Sequence, residues 1–369
     1  MNILIIAPFP PPITGNSITT KVLHDKLVKN HKVKLINVSK DSFVQGINSI
    51  VRIVEILRIL KKVWLYKNNA DLIYLTISQS LAGNIRDIFI YLICFNNLSS
   101  FIIHLHGGGI KKMLFDKHRI LYEINRFFIC RMGGVIVLGQ SLVSIFSDMI
   151  PKRKIHIVPA FAEDYLFINR KKIKKKYNNI NPLRILFLSN LIKGKGYDKL
   201  ANAYQCLSKE FQNKIRIDFA GGFETDSDKN TFLNKISSFD QMQYHGIIGP
   251  NKKKNLLYKA NIFCLPTYYY LLEGQPMSIL EAYASGCVVI TTNHGGIQDI
   301  FNDGINGFEV EKKSSYSIKL IIEKIIDNTE QLYHIGLFNR NTAENKYKSF
   351  NYCSSIEKIF QNCIKLKRV

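Results

Sequence analysis

Short β-branched runs alternate with amphipathic polar stretches along the whole chain. NILIIA (2–7) has the length and composition of a buried strand. The prolines of PFPPPITGNS break it, and SITTKVLHDKLVKN (17–30) follows with helical spacing. KVKLINV (32–38), ADLIYLTI (70–77), SSFIIHLH (99–106), GGVIVLG (133–139) and KIHIVPA (154–160) continue the strands, with helical segments between them. This is the βαβ rhythm of an open parallel sheet. It restarts in LRILFLSN (183–190), KIRIDFAGG (214–222), NIFCLPT (261–267) and CVVITT (287–292), with a helix over GYDKLANAYQCL (196–207).

Between the two halves lies RKKIKKKYNNINP (170–182), in which six of the seven residues from Arg170 to Lys176 are basic. It reads either as the passage between domains or as a solvated helix face. The pattern predicts an α/β protein of two Rossmann-like domains, 1–168 and 182–350, with ligands beyond the carboxyl ends of the strands. A chain of 369 residues suits two cores, and 46% hydrophobic content is enough to fill them.

Composition adds charge. Fifty-one Lys and Arg against 28 Asp and Glu leave +23, which favours anionic partners such as nucleotides, nucleic acid or acidic lipid. General enrichment in Lys, Ile and Asn explains part of it. The seven cysteines are scattered without a C-x-x-C pair and read as reduced core residues, neither disulfides nor zinc ligands. MNILIIAPFPPP lacks a basic leader, and no apolar run reaches membrane-spanning length, so a soluble or peripheral protein is expected.

The chemistry concentrates in EGQPMSILEAYASG (273–286). Proline suits a first helical turn, so a helix is expected from Pro276 or Met277. Glu273 then precedes it, and Glu281 lies about 7 Å along the axis. The N–H groups at that start favour a phosphate, and a carboxylate on either side can take hydroxyls of a sugar or a ribose diol. By spacing alone the same pair fits a plainer role, with Glu273 complementing the helix terminus and Glu281 an exposed helix residue. LFLSNLIKGKGYDKL adds Lys193 and Lys195 beside Gly194 and Gly196 after a strand, where a lysine can meet a diphosphate. NHGGIQDIFNDGINGF adds Gly295 and Gly296 after another strand.

Together PTYYYLLEGQPMSILEAYASGCVVITTNHGGIQDIFNDGINGF, LFLSN…KGKG, PPPITGNS and HLHGG resemble the retaining glycosyltransferases of family 4. The resemblance implies the GT-B fold, two Rossmann-like parallel-sheet domains facing a deep cleft, with the closing helix from about 351 packed back on the first domain. It implies that Glu273 contacts hydroxyls of the donor sugar and that Gly274, Gln275 and Pro276 present backbone beside it. Met277 and Ser278 would sit by the diphosphate, Glu281 on the ribose, and Lys195 on the leaving group. Gly15 would let the first loop approach the phosphates, and His106 would lie near the reacting sugar, its alternative being a structural histidine beside a glycine turn. Two departures stand out. Asn190 occupies a position that is often arginine in the family, so either Lys193 compensates or the leaving group is held less strongly. PAFAED (159–164) replaces an Asn-Gly-Val-Asp type turn.

The resemblance further implies a nucleotide-diphosphate sugar as donor, no cofactor, no metal, and a glycan or lipid-linked acceptor met by the first domain. Asp226-Ser227-Asp228 has the look of an Asp-x-Asp metal motif, but it lies in a polar stretch without matching context. Segments 47–67, with Arg52, Arg58, Lys61, Lys62, Lys67 and Trp64, and 111–131 read as basic apolar helices. They suit an anionic membrane surface, or equally a core helix with solvated ends. The expectation is a cytoplasmic enzyme of surface polysaccharide synthesis, peripheral at the inner membrane face. A glycosyltransferase with small soluble products, a silent sugar-binding scaffold and a nucleic-acid binder are the competing readings. The last lacks any recognition motif.

Overall fold

The computed structural model describes residues 1–39, 49–178 and 180–367. It divides into two compact units. Unit 1 comprises Met1–Ala160, the short segment Leu271–Gln275 and the chain from Phe350 onward. Unit 2 comprises Phe161–Tyr270 and Pro276–Ser349.

Unit 1 carries six parallel strands: β1 (Asn2–Ala7), β2 (Lys32–Asn37), β3 (Leu72–Thr76), β4 (Phe101–Leu105), β5 (Gly134–Val137) and β6 (Ile155–Ile157). Their order is β2-β1-β3-β4-β5-β6. The chain leaves β1 toward one side and returns to β3 on the other, so the topological switch lies beyond the carboxyl ends of these two strands. β3 and β4 are buried at every position, as strands covered on both faces must be. The final helix, Ser349–Lys367, packs on this sheet through Phe360 against Tyr74 and through Glu357, which pairs with His31 at 2.8 Å.

Unit 2 carries β7 (Leu183–Leu188), β8 (Ile215–Ala220), β9 (Met242–Tyr244), β10 (Ile262–Leu265), β11 (Val288–Thr291) and β12 (Gly307–Glu309), again all parallel. The order β12-β11-β10-β7-β8-β9 puts the switch between β7 and β10. The ten strands expected from apolar runs are present. The two that were not expected, β9 and β12, are three-residue edge strands with no apolar run of their own.

Some local expectations change. The first helix starts at Gly15, two residues early, because Thr14 caps it with a reciprocal Thr14–Ser17 capping box. Segment 111–131 is not one helix: a π-turn over Lys111–Phe115 precedes a separate helix, Arg119–Ile129. Residues 47 and 48 lie outside the described residues, and the helix there runs Ser49–Tyr66. Asp226 and Asp228 sit in the first turn of the helix Asp226–Ile236 behind a Thr225 cap, not in a loop. The basic stretch forms the helix Arg170–Asn178 of unit 2, and it is not merely a solvated face. Ile173 and Tyr177 are buried, and Lys176 Nζ donates to the carbonyls of Ser285 (2.8 Å) and Leu257 (3.1 Å). The seven cysteines form no disulfide among the described residues, and five of them are buried.

Candidate functional site

In unit 2 the site grows from the loops after β7 and β10, the two strands at the switch. Gly194 and Gly196 have φ of 98° and 86°, which side chains with a Cβ rarely adopt. A Cβ on Gly196 would also lie 2.4 Å from the Pro266 carbonyl oxygen, so glycine is required for the two loops to touch. The Tyr268 amide closes the contact on the Gly194 carbonyl at 2.7 Å. This turn presents Lys195, half-buried with Nζ 4.9 Å from the Tyr269 ring centroid, while Lys193 and Asn190 stay exposed.

The helix of the EGQPMSILEAYASG segment runs Met277–Ala284 with Pro276 as its cap residue, and no side chain caps it. Met277 and Ser278 at its start are half-buried. Glu281, one turn in, is only 3% exposed, so it is no ordinary surface residue. Its carboxylate meets Lys253 Nζ at 2.5 Å, and the same ammonium meets Glu163 at 2.8 Å. Burial pushes the Glu281 carboxyl up, with Lys253 opposing. Burial would also lower Lys253, but its two carboxylate neighbours outweigh that and hold the ammonium protonated.

In unit 1, Leu271–Gln275 lies on the turn after β4. A Cβ on Gly274 would fall 2.4 Å from the His106 carbonyl oxygen, and one on Gly109 would fall 2.2 Å from that of Leu271. Glycines on both sides therefore permit the approach. Leu272 adopts φ 56°, an unusual conformation for a non-glycine residue. Gln275 anchors the loop: its Oε1 accepts from the Ala160 amide at 3.0 Å, and its Nε2 donates to the Leu138 carbonyl at 2.7 Å. Glu273 is buried at 8% exposure. His106 stacks on His104 with ring centroids 3.9 Å apart, and its Nε2 is buried without a hydrogen-bond partner among the described residues. Burial brings this imidazole down to about 3, so it is neutral near pH 7. Gly15 begins the helix Gly15–Leu27 on the exposed side of the first loop.

Residues 169–342 match the family model for glycosyl transferases group 1. That segment is a group 1 glycosyl transferase domain. The chain is 24% identical over 261 residues to the capsular polysaccharide biosynthesis glycosyltransferase CapM of Staphylococcus aureus, covering 68% of this chain and 67% of that one. It is 26% identical over 194 residues to the mannosylfructose-phosphate synthase of Agrobacterium fabrum, covering 49% of this chain and 42% of the other. Among solved structures, Anabaena Alr3699/HepE in complex with UDP-glucose superposes with a TM-score of 0.74 at 16% identity, over 98% of this chain and 100% of that chain. The chain is a glycosyltransferase of the GT-B fold, with the two Rossmann-like sheets described above.

In this glycosyltransferase the residues expected from sequence fall into two groups. Lys193, Lys195, Asn190, Pro276, Met277, Ser278 and Glu281 belong to unit 2. Gly15, His106, Glu273, Gly274 and Gln275 belong to unit 1. Lys253 and Glu163 were not foreseen. Lys253 stands in GPNKKKN, which reads as a solvated basic run, and only the fold shows which of its three lysines turns inward. Glu163 lies in PAFAED, the very turn that departs from the family pattern. Among the described residues no group of three His, Cys, Asp or Glu is placed to hold a metal ion.

Proposed function

We propose that this glycosyltransferase moves a sugar from a nucleotide-diphosphate sugar to a glycan or lipid-linked acceptor in bacterial surface polysaccharide synthesis, with retention and without a metal. The observation that carries the donor assignment is the Glu281–Lys253–Glu163 cluster, one turn inside an uncapped helix start and within the same unit as the Lys195 turn. A helix N-terminus suits a diphosphate, and a carboxylate of fixed orientation suits a ribose diol. Solved GT-B structures of similar fold hold UDP or UDP-glucose, and the match to CapM supports the polysaccharide pathway.

In the reaction the bond from the anomeric carbon to the diphosphate oxygen breaks as the acceptor oxygen bonds that carbon on the same face. The acceptor proton passes to the departing phosphate oxygen. Lys195 and the Met277 helix start oppose the charge that grows on the leaving group, which stabilises the transition state beyond the ground state. Neutral His106 and the Glu273 carboxylate hold sugar hydroxyls. A panel of UDP, GDP, ADP, CMP and dTDP in EDTA tests the assignment. One diphosphate at about 100 times its Kd should stabilise the protein by roughly 2.7 kcal/mol. Lys195→Ala and Glu281→Gln should lose that shift. A response only with added manganese would reject the metal-free site.

The acceptor side is proposed to meet an anionic membrane. Ile53, Leu57, Lys61 and Trp64 form one exposed stripe of the helix Ser49–Tyr66, and Leu81, Ile85, Phe89 and Leu92 form another on the helix Leu81–Ile93. No described helix is long and apolar enough to cross a membrane. Leu57→Glu with Trp64→Glu should abolish sedimentation with vesicles containing phosphatidylglycerol; undiminished sedimentation would remove the membrane from the proposal. The match to mannosylfructose-phosphate synthase favours a second reading, a soluble sugar-phosphate product, which that same result would strengthen.

A further inference from the structure

Unit 1 holds a cavity of about 730 Å³ at its own topological switch. Its floor is the end of β3 and the loop after it, Thr76 to Ser80, and one wall is the loop after β1 and the start of the helix that follows, with Pro8, Thr14 and Asn16. This is where an open parallel sheet accommodates a ligand. The helix Ser49–Tyr66 covers it with the face opposite its exposed stripe, bringing Arg52, Glu55, Ile59 and Lys62, with Arg58 at the rim.

Among the described lining residues the charge is one-sided. Arg52, Arg58 and Lys62 face one carboxylate, Glu55, and none of the three cations forms an ion pair among the described residues. Arg86 also lines the cavity, but it is engaged: its Nε and Nη2 hold buried Asp87 at 3.0 and 2.7 Å, and Asp87 accepts from the Ser78 amide at 2.7 Å. Arg86 therefore builds the wall.

The lining is polar as well as basic, with Asn16, Thr76, Ser78, Gln79 and Ser80 contributing to it. The cavity also adjoins the reacting end of the unit. Gln79, one of its lining residues, accepts from the Gly109 amide at 2.7 Å, on the turn that begins with His106.

We propose that this cavity seats a phosphate or diphosphate ester of the acceptor, so that the acceptor is a phosphorylated glycosyl compound and not a neutral glycan. Arg52, Arg58 and Lys62 supply charge to the phosphate oxygens, arginine with its two-pronged geometry. The proposal rests on the glycosyltransferase reading, and the phosphate ester can come from a prenyl diphosphate or a free sugar phosphate.

Binding is followed by isothermal titration calorimetry, because Trp64, the only tryptophan of the chain, lies on the exposed stripe away from the cavity. The full-length protein is titrated with geranyl diphosphate, glucose 1-phosphate, and the neutral controls geraniol and methyl glucoside. Saturable binding of one or both phosphates without the controls is expected, weakened at least tenfold in Arg58→Gln/Lys62→Gln. Arg52→Gln alone should weaken it severalfold without lowering Tm appreciably. Preference for geranyl diphosphate indicates a lipid-linked acceptor, and preference for glucose 1-phosphate a soluble one. Binding equal to that of the neutral controls, or unchanged in both variants, overturns the proposal. So does an Arg58→Gln/Lys62→Gln protein whose affinity for the nucleoside diphosphate falls as far as that for the phosphate ester, since the cavity would then serve the donor. If the wild type binds no nucleoside diphosphate at all, the glycosyltransferase reading fails first, and the two failures are told apart.

Discussion

Replacing Lys253 by methionine is expected to destabilise unit 2 by about 3–5 kcal/mol, the usual effect of removing one partner of a buried ion pair. The lysine side chain is 15% exposed and that of Glu281 is 4% exposed, so water cannot rescue the abandoned carboxylate. Glu163, at 24%, can be rehydrated more easily, and Glu163→Gln should be milder. Denaturant unfolding followed for unit 2 checks the magnitude. The double variant Lys253→Met with Glu281→Leu removes both charges and should regain most of the loss. It should not regain nucleotide binding. That combination separates the two roles proposed for the cluster, an ion pair that positions Glu281 and a carboxylate that meets the donor. If Lys253→Met alone leaves both stability and nucleotide affinity intact, the cluster has neither role.

Acid should weaken unit 1 through His104 and His106. Burial holds His104 well below its ordinary range, with the neighbouring His106 acting in the same direction, and it brings His106 to about 3. Tyr74 supports the neutral ring of His104, its hydroxyl 2.7 Å from Nδ1. Both rings are neutral in the folded protein at pH values where the unfolded chain has already taken up protons. Stability is therefore fully present above about pH 6.5 and falls as pH drops toward the folded values. The slope is about 1.4 kcal/mol per pH unit for each ring that differs between the states. Urea midpoints at pH 7, 6, 5 and 4 should fall steeply for the wild type and less steeply for His104→Gln and His106→Gln. A slope unaltered by either variant would show that the rings are not the source. Neutrality also suits the role proposed for His106, because an uncharged imidazole can hydrogen-bond a sugar hydroxyl without repelling the positive charge that develops at the anomeric carbon.

Much of the architecture was legible as pattern. Ten of the strands were legible as short runs rich in Ile, Leu and Val, continuous where the strand is covered on both faces, as in β3, and interrupted by polar residues at the edge, as in KVKLIN of β2. The start of the helix at Met277 was legible from Pro276, since proline fixes φ where a helix begins. The glycines of KGKG marked a turn where the backbone can come close, and Gly196 proved to be a place where a Cβ would strike a carbonyl. β9 and β12 stayed hidden because edge strands of three residues carry too few side chains for a periodic pattern.

The chemistry of individual charges was decided only in three dimensions. Glu281 fitted an exposed helix residue or a buried ligand equally well by spacing, and only packing separated them. Lys253 was one of three identical lysines, and Glu163 stood in a turn notable only for its departure from a family pattern. Their union depends on bringing together residues 90 and 28 positions apart in the chain. Arg52, Glu55 and Lys62 and the outward Ile53, Leu57 and Trp64 alternate along one helix so that apolar residues occur nearly all round it. The helix's own periodicity therefore could not say which face was inside. The sheet beneath it decides, because the crossing of the chain between β1 and β3 opens a cavity under one face and leaves the other to solvent. Sequence thus determined where strands, turns and a phosphate-loving helix terminus would form, since those follow from each residue's own backbone and apolar preferences. Which carboxylate is held, which cation is left facing a cavity and which histidine loses its proton depend on burial, and burial belongs to the tertiary structure.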